Sequence, residues 1–512
     1  MLTYPEIGFT LTALGSSAYL LYKERSQSKK PLPPSPAGSY PLIGHALALP
    51  TESEHLVYAE WCKELNSDII SLTVVGQTIV ILNSANVATD LLDQRSSVYS
   101  GRPYLRVVQV FRYSRPPISL MNLWEGLDWG DGIIVLPYGP RWKKQRRIMH
   151  EVLKPSVNVR NFALFERETY AMLKRLLMNS ENFEKEFRRT VAAEILSSVY
   201  GYTVKDTQDT LVRDSATIVE NFTIAAIPGN FLVNFIPWLK YVPEWFPGAQ
   251  WKRNILEWRK LKERVVNGPY EWAKAQITHL ASIEGASNID MADEELNLKS
   301  VSASLFGGAS DTTHASLMSF VLAMVQHPEI QARAQEEIDQ VTHSERLPNM
   351  VDRDSMPYVR CIVQEVLRWQ PPLPLGVPRA TAEDDEYHGY FIPKGSIVMT
   401  NAWAMSRDES VYKSPETFNP ERFLDTDIAG APVFGFGRRS CPGLHYAEAS
   451  LFIVVASILA VFDIKPKVNP VTGQEEIPEA KVALHALVSR ILPFECTIKP
   501  RSNAHKELID SS

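Results

Sequence analysis

The segment that most constrains the fold is a glycine-rich loop, residues 434–443, that leads directly into a long apolar stretch. The loop reads FGFGRRSCPG, and the next residues, LHYAEASLFIVVASILAVF, carry apolar side chains at helical spacing. Cys441 therefore lies at the N-terminus of a predicted helix, where free N–H groups and the helix dipole stabilise a thiolate. Gly437 and Gly443 let the backbone approach a flat ligand closely, and Arg439 can donate to a carboxylate.

Two other interpretations of this loop were weighed. A dinucleotide-binding loop needs a third glycine after Gly435 and Gly437, and Ser440 stands at that position. A buried structural cysteine stays open when the loop is taken alone. The cysteines of the chain lie far apart and include no CxxC pair: Cys62, Cys361, Cys441 and Cys496. The sequence therefore predicts neither a disulfide framework nor a structural zinc site.

Five positions of the loop resemble the haem-thiolate signature F-x-x-G-x-R-x-C-x-G of the cytochrome P450 family: Phe434, Gly437, Arg439, Cys441 and Gly443. The resemblance implies haem b as cofactor, with the Cys441 thiolate as the axial ligand of its iron. It also implies that Arg439 contacts a haem propionate and that Phe434 lies beside the sulfur. The chain resembles fungal, basidiomycete-like microsomal members of secondary metabolism and is similar to the O-methylsterigmatocystin oxidoreductase-type group.

Two further motifs occur in the order that the family has them. Glu365 and Arg368 form an E-x-x-R on a predicted helix, and FNPERF supplies Arg422 downstream. By resemblance these three residues form a structural Glu-Arg-Arg network behind the haem. Trp142 and Arg146 match a W-x-x-x-R pair that contacts haem propionates in the family. Taken alone, each motif is weak, because helical pairs at these spacings are usually solvated surface pairs.

The longest helical candidate covers residues 298–326 and contains the sequence GASDTT at 308–313. A threonine hydroxyl inside a helix often bonds back to the carbonyl four residues earlier, and that interpretation stays open. The resemblance implies instead that the helix opens locally over the iron. Thr312 would then hold a water on the oxygen-binding side, with Asp311 passing protons from solvent. Ala309 replaces the second glycine of the family motif.

Residues 371–377, PPLPLGV, line the haem pocket by resemblance and contain no polar side chain. Arg379 stands where many relatives have a histidine, and it can donate to a propionate at any pH. Other expected pocket walls, at 102–127, 222–235 and 484–488, are mostly apolar. The sequence therefore predicts a hydrophobic small-molecule substrate. We expect a terpenoid, with a polyketide or an indole alkaloid as the alternative.

Residues 7–22 carry no charge, and four basic residues follow between 23 and 30. Sixteen residues span about 24 Å as a helix, short of the ~30 Å membrane core, so the anchor is predicted over 1–22. The positive-inside rule places the following chain in the cytosol, as a single-pass protein of the endoplasmic reticulum membrane. A cleaved signal peptide and a surface-bound helix are the alternatives. Residues 23–50 form a basic and proline-rich hinge, and 51–512 the haem-thiolate monooxygenase domain.

The remaining pattern predicts one large, mainly α domain with a small β-sheet near its N-terminal part. Helical spacing is clearest at 161–178 and 331–341. Strands are predicted at 69–82 with a turn at Gly76-Gln77, at 397–400, and at 494–498. The resemblance names this architecture as the cytochrome P450 fold, with an N-terminal membrane anchor.

The predicted reaction is a monooxygenation, in which substrate-H, O₂ and two electrons give substrate-OH and water. The chain has no flavin or NAD fingerprint, so electrons should come from NADPH-cytochrome P450 reductase on the same membrane. A basic face for that acidic partner is expected from four residues near the loop: Lys143, Lys144, Arg147 and Arg438. An ordinary solvated helix face is the alternative.

Other classes of function fit less well. Peroxide-rearranging members of the family need no proton relay, so the Asp311-Thr312 pair argues against them. A non-catalytic, membrane-tethered binding or scaffold protein would not need the cysteine, the arginine and the relay together. With 53 basic and 59 acidic residues the net charge is −6, so no nucleic-acid partner is expected.

Overall fold

Apolar side chains three and four residues apart build the helices that form most of the described chain. The helices are α1 (Glu54–Glu64), α2 (Ala85–Thr89), α3 (Pro140–Leu153), α4 (Pro155–Asn158), α5 (Phe162–Met178), α6 (Phe183–Tyr200), α7 (Gln250–Ala281), α8 (Met291–Gln326), α9 (Pro328–Thr342), α10 (Pro357–Trp369), α11 (Ala402–Met405), α12 (Leu444–Val461) and α13 (Asn503–Ser511). Helices α5, α8 and α9 confirm the predicted helices at 161–178, 298–326 and 331–341. Four of these helices begin with proline at the first helical position, where its missing N–H leaves no hydrogen bond unmade.

The strands are short: β1 (Ile69–Val74), β2 (Gln77–Leu82), β3 (Arg379–Ala380), β4 (Asp385–Tyr387), β5 (Tyr390–Ile392), β6 (Ile397–Thr400), β7 (Phe462–Val468), β8 (Glu475–Glu476) and β9 (Cys496–Pro500). One sheet has the order β1-β2-β6-β3, with β2 and β6 parallel and the other pairs antiparallel. The small sheet predicted near the N-terminal part is therefore completed by strands from the second half of the chain. Strands β4 and β5 form a hairpin, and β8, β7 and β9 form the third sheet.

The turn between β1 and β2 differs by one residue from its predicted position. It lies at Val75 and Gly76, one residue earlier than expected, and both residues have positive φ, 49° and 78°. Two consecutive residues with positive φ make a turn whose twist matches that of the flanking strands. The last predicted strand also differs slightly, since β9 covers Cys496–Pro500 rather than 494–498.

The main core lies where the second half of α8 and the whole of α12 pack against α5, α6, α9 and α10. Helix α12 is apolar on all sides, and fourteen of its residues are buried. Among the described residues it is also the helix that is long and apolar enough to cross a membrane, but most of it is buried inside the protein. A helix of this kind belongs to the core of a large domain.

The structure is a computed structural model that describes residues 30–50, 52–103, 131–204, 209–214, 217–218, 221, 241–281, 291–482 and 487–512. The predicted anchor at 1–22 lies outside the described residues, as do the first residues of the predicted hinge. Of the predicted pocket wall at 102–127, the structure describes residues 102–103. The predicted wall at 222–235 lies outside the described residues.

Candidate functional site

The loop at 434–443 is closed by its own backbone. The N–H of Cys441 donates to the carbonyl of Phe434 at 2.7 Å, and Ser440 donates to Gly437 at 3.0 Å. Gly437 has φ of +52°, and a Cβ at this position would lie 2.1 Å from the carbonyl oxygen of Leu92. Only glycine fits such a conformation and such an approach. The loop is therefore held both by its own hydrogen bond and by close packing on the neighbouring turn.

A cavity of about 350 Å³ opens beside this loop, between α3, α8 and the segment before β3. Predicted site residues on its wall are Trp142, Arg146, Thr312, Arg379, Phe434, Arg439, Cys441 and Gly443. This volume lies within the ~300–1,000 Å³ of a pocket for a small ligand.

The Cys441 side chain opens into this cavity and is otherwise surrounded by protein. Burial raises the pKa of its thiol, while the N–H of Gly443 and the charge of Arg146 act in the opposite direction. The N–H at the helix N-terminus thus lowers the pKa of the thiol, as the sequence predicts, and burial outweighs it. A metal ion bound to the sulfur would deprotonate the thiol outright.

Four guanidinium groups converge on the cavity, from Arg102, Arg146, Arg379 and Arg439. Burial is the first cause that lowers the pKa of each of them, to about 10 for Arg379 and about 9 for Arg439. Repulsion from Arg379 adds to the lowered pKa of Arg102 and Arg439. The charge of Asp93 acts in the opposite direction on Arg379. Buried like charges are costly, so this wall favours an anionic ligand.

Unpaired donors show where the anion binds. The Nη1 of Arg379 and the Nε of Arg102 are buried and have no hydrogen-bond partner. Arg379 is itself held by a 2.6 Å bond from Nη2 to the carbonyl of Phe436, inside the cysteine loop. Arg102 is held by bonds from Nη1 to the carbonyls of Val377 and Pro378, at 3.0 and 2.7 Å. Sequence reasoning named Arg102 only as the start of a pocket wall, because a lone arginine carries no motif.

Arg439 makes more contacts with the protein itself than the sequence implied. Its Nε, Nη1 and Nη2 donate to the carbonyls of Ser100, Ile133 and Leu136, at 3.0, 3.3 and 2.8 Å. Its guanidinium lies 4.5 Å from the ring centroid of Trp142, which is buried. Three of its five N–H groups are thereby used, which leaves one on each terminal nitrogen for a carboxylate. Arg439 fastens the loop to the neighbouring chain as well as facing the cavity.

The E-x-x-R pair is part of a buried ion network. Glu365 and Arg368 are fully buried and joined by two bonds, Nε to Oε2 at 2.7 Å and Nη2 to Oε1 at 2.8 Å. Arg422 donates from Nε to Oε1 of Glu365 at 3.2 Å, and so does the N–H of Asn419 at 2.7 Å. Both arginines also bond the carbonyl of Thr417. The network ties α10 to the segment that leads into the cysteine loop.

Helix α8 passes the cavity without the local opening that the resemblance implied. It is helical throughout Met291–Gln326, and the hydroxyl of Thr312 donates to the carbonyl of Gly308 at 2.8 Å. The hydrogen bond from a threonine hydroxyl to the carbonyl four residues earlier, one of the two interpretations of the sequence, is therefore present. The Thr312 oxygen still faces the cavity and can accept a hydrogen bond there.

Asp311 lies on another face of α8 and is 1% exposed. Its Oδ2 accepts from Arg490 and its Oδ1 from Arg188, the latter at 3.5 Å. Direct contact with solvent, expected from the sequence, is not observed. The two arginines come from α6 and from the chain before β9, distant in sequence, and no local pattern pointed to them.

The cavity walls beyond the arginines are mostly apolar. From 371–377 the structure places Pro372, Leu373, Gly376 and Val377 on the wall. Polar side chains facing the cavity include Ser198, whose hydroxyl is already hydrogen-bonded to Tyr446 at 3.2 Å. Walls of this kind accept a ligand by burying its apolar surface.

A flat apolar macrocycle with two carboxylates and a central metal fits this site. The carboxylates have Arg102 and Arg379 as unpaired donors, the metal has the Cys441 sulfur, and the loop glycines leave room for the ring. Fold and site together define a haem-thiolate protein.

The chain belongs to the cytochrome P450 family, whose model matches residues 33–491. It is 38% identical to cytochrome P450 monooxygenase 98 of Postia placenta, over 98% of this chain and 97% of the relative. A cytochrome P450 monooxygenase of Armillaria gallica is 38% identical, over 94% of each chain. One of Coprinopsis cinerea is 36% identical, over 97% of this chain and 94% of the relative. The chain is thus a haem-containing monooxygenase that uses O₂ and a redox partner.

Proposed function

We propose that this chain is a membrane-bound monooxygenase that oxidises a hydrophobic small molecule, a terpenoid in fungal secondary metabolism. Substrate-H, O₂, two electrons and two protons give substrate-OH and water. The observation that carries the proposal is the cavity wall on which Cys441 and four arginines meet apolar side chains. Haem supplies oxygen activation when it is bound there. A polyketide or an indole alkaloid would enter the same apolar space.

Each predicted site residue has its own role in holding the cofactor or the cysteine loop. Cys441 would hold the iron through its sulfur, and Gly437 and Gly443 would let the loop backbone approach the ring. The propionates would be held by Trp142, Arg146, Arg379 and Arg439, together with Arg102. Phe434 lies beside the cysteine in the loop, and Glu365, Arg368 and Arg422 keep that loop in place. This assignment is supported by the buried unpaired donors of Arg102 and Arg379.

Proton delivery is assigned to Asp311 and Thr312. The Thr312 hydroxyl already donates to Gly308, so its oxygen is oriented to accept a hydrogen bond from a water in the cavity. Asp311 is one residue away on the buried face and anchored by two arginines. A proton that reaches this carboxyl can move to the water that Thr312 orients.

Electrons come from a flavin-containing NADPH reductase that binds the face around Lys143, Arg147 and Arg438. These side chains are exposed, and those of Lys143 and Arg438 lie 5.2 and 5.1 Å from the Tyr138 ring. Lys144 differs, because it pairs with Asp293 and Glu294 at 2.7 Å each. An acidic partner is therefore attracted mainly by the other three residues.

We also assign the chain to the endoplasmic reticulum, anchored by 1–22, with its catalytic domain in the cytosol. Within the predicted hinge, Tyr40, Leu42 and Leu47 are exposed by 54, 91 and 74%. Apolar side chains exposed next to a predicted anchor favour contact with lipid. Removing 1–22 should therefore weaken sedimentation with membranes without removing it.

The first test is the carbon monoxide difference spectrum of the reduced protein, beside a Cys441→Ala variant. Wild type should show the Soret band of a thiolate-ligated haem, and the variant should lose it. A folded wild-type protein without a haem spectrum would refute the proposal. Incubation with terpenoid, polyketide and indole candidates, reductase and NADPH then identifies the substrate class by its oxidised product.

The docking surface has its own test, with a matched control. Lys143→Glu should slow reductase-driven turnover and reduce its dependence on salt, because steering by charge is screened. Lys63→Glu makes the same charge change at an exposed position of α1 and should have no effect. Equal behaviour of the two variants would argue against the proposed face.

A further inference from the structure

His314 is a buried histidine on α8 that the function described so far does not use. It is 3% exposed, and neither ring nitrogen has a hydrogen-bond partner. The backbone of Glu184 lies near the ring but outside hydrogen-bond geometry. A buried polar group without a partner destabilises the folded protein, so such a group needs an explanation.

The surroundings of His314 are those of Asp311. Residues three apart lie on one helix face, so the imidazole stands one turn along from the carboxylate. Burial and then the charges of Arg188 and Arg490 lower its pKa to about 3. These are the two arginines that hold Asp311. The imidazole is thus neutral at any working pH and offers one donor and one acceptor.

A second unpaired group points to the same place. The Nε of Arg490 is buried and has no partner, although the Nη2 of this arginine binds Asp311. An internal water needs two to four polar partners, and unpaired buried groups supply them. The Nε–H of Arg490 can donate to a water, and that water can donate to the free nitrogen of His314.

We propose that His314 positions an internal water beside Arg490, and that this water is the outer member of the proton route to Asp311. The proposal rests on the proposed function, in which Asp311 passes protons to the cavity. Its reason is the burial of Asp311, which solvent does not reach directly. One proton enters through the water to the carboxylate as one leaves toward the water at Thr312, so no charge accumulates. His314 is a positioning residue and does not itself ionise.

Two substitutions separate this role from a structural one. His314→Leu removes both polar atoms and fills the same buried space with an apolar side chain, so the variant should fold. Its yield of product per NADPH should fall several-fold, with more peroxide released and a larger solvent deuterium isotope effect. His314→Gln keeps a donor and an acceptor and should retain most of the yield. Ser319→Ala, which removes another buried polar group of α8, should behave as wild type.

The position of the water is measured without turnover. A high-resolution crystal structure of the haem-loaded protein should show a water bound to Arg490 and His314, and the same map of His314→Leu should lack it. A dry site in wild type, or a His314→Leu variant with unchanged yield and isotope effect, would overturn the inference. A wild type that shows no thiolate-ligated haem spectrum would instead refute the proposed function, and a crystal structure of the protein as isolated would then decide the water.

Discussion

Glu194, on α6, makes the stability of this protein depend on pH. The side chain is 1% exposed, its Oε2 accepts from the hydroxyl of Ser450 at 2.5 Å, and its Oε1 has no partner. Burial raises the pKa of this carboxyl from 4.5 to about 8, against the effect of the Ser450 hydroxyl and with a smaller contribution from Glu168. The folded protein therefore holds a proton on Glu194 at pH values where the unfolded chain has lost it.

The sign and size of the effect follow from these two pKa values. Stability from this group is full below pH 4.5 and is lost as the pH rises through about 8. Between pH 5.5 and 7.5 the loss amounts to about 2.5 kcal/mol. With roughly 2.1 cal/mol/K of unfolding entropy per residue, this chain of 512 residues has about 1 kcal/mol/K. The expected change in Tm is therefore about 2 °C.

The perturbation is Glu194→Gln, which keeps the shape and removes the titration. Scanning calorimetry of both haem-loaded proteins at pH 5.5, 6.5 and 7.5 gives the difference in Tm between them. Wild type should lose about 2 °C relative to the variant across this range. For Glu336→Gln, at an exposed position of α9, the difference in Tm from wild type should not change with pH. A flat difference for Glu194→Gln would refute a protonated, buried Glu194.

Three further predictions concern the site. Glu365→Gln should cost roughly 3–5 kcal/mol in urea unfolding, because it leaves buried arginines without their counter-charge; a loss below 1 kcal/mol would contradict the network. Gly437→Ala should abolish haem retention, since its Cβ would meet the Leu92 carbonyl, while Gly139→Ala, which has nothing within 4 Å, should retain haem. Arg102→Leu should release haem to a scavenging haem-binding protein roughly tenfold faster or more, as a charge-assisted hydrogen bond contributes about 1.5–3 kcal/mol; an unchanged rate would remove Arg102 from the propionate site.

Local patterns predicted the parts of this molecule that local forces determine. The helices α5, α8 and α9 follow from apolar spacing, and the turn between β1 and β2 was misplaced by one residue only. The same holds for the cysteine loop, where Gly437 and Cys441 form a motif within a few residues. The residues of this loop are close in the sequence and also close in the structure.

The rest depends on contacts between distant segments, which one sequence does not display. Arg102 comes to the cavity from the first fifth of the chain, and Arg490 reaches Asp311 across 179 residues. The pKa of the Cys441 thiol also depends on burial rather than on the helix N-terminus alone. These long-range contacts, and the effect of burial on the pKa, arise only when the distant segments are packed together.

The parallel pairing of β2 with β6 has a consequence during synthesis. The register joins Ile79 to Ile397, so the partner strand of β2 is made 318 residues later. At about 5–20 residues per second this interval lasts roughly 16–64 s. During this interval β2 has no partner strand on that side, and unpaired strand edges are prone to pair with other chains. Slow translation of the middle segment lengthens the interval.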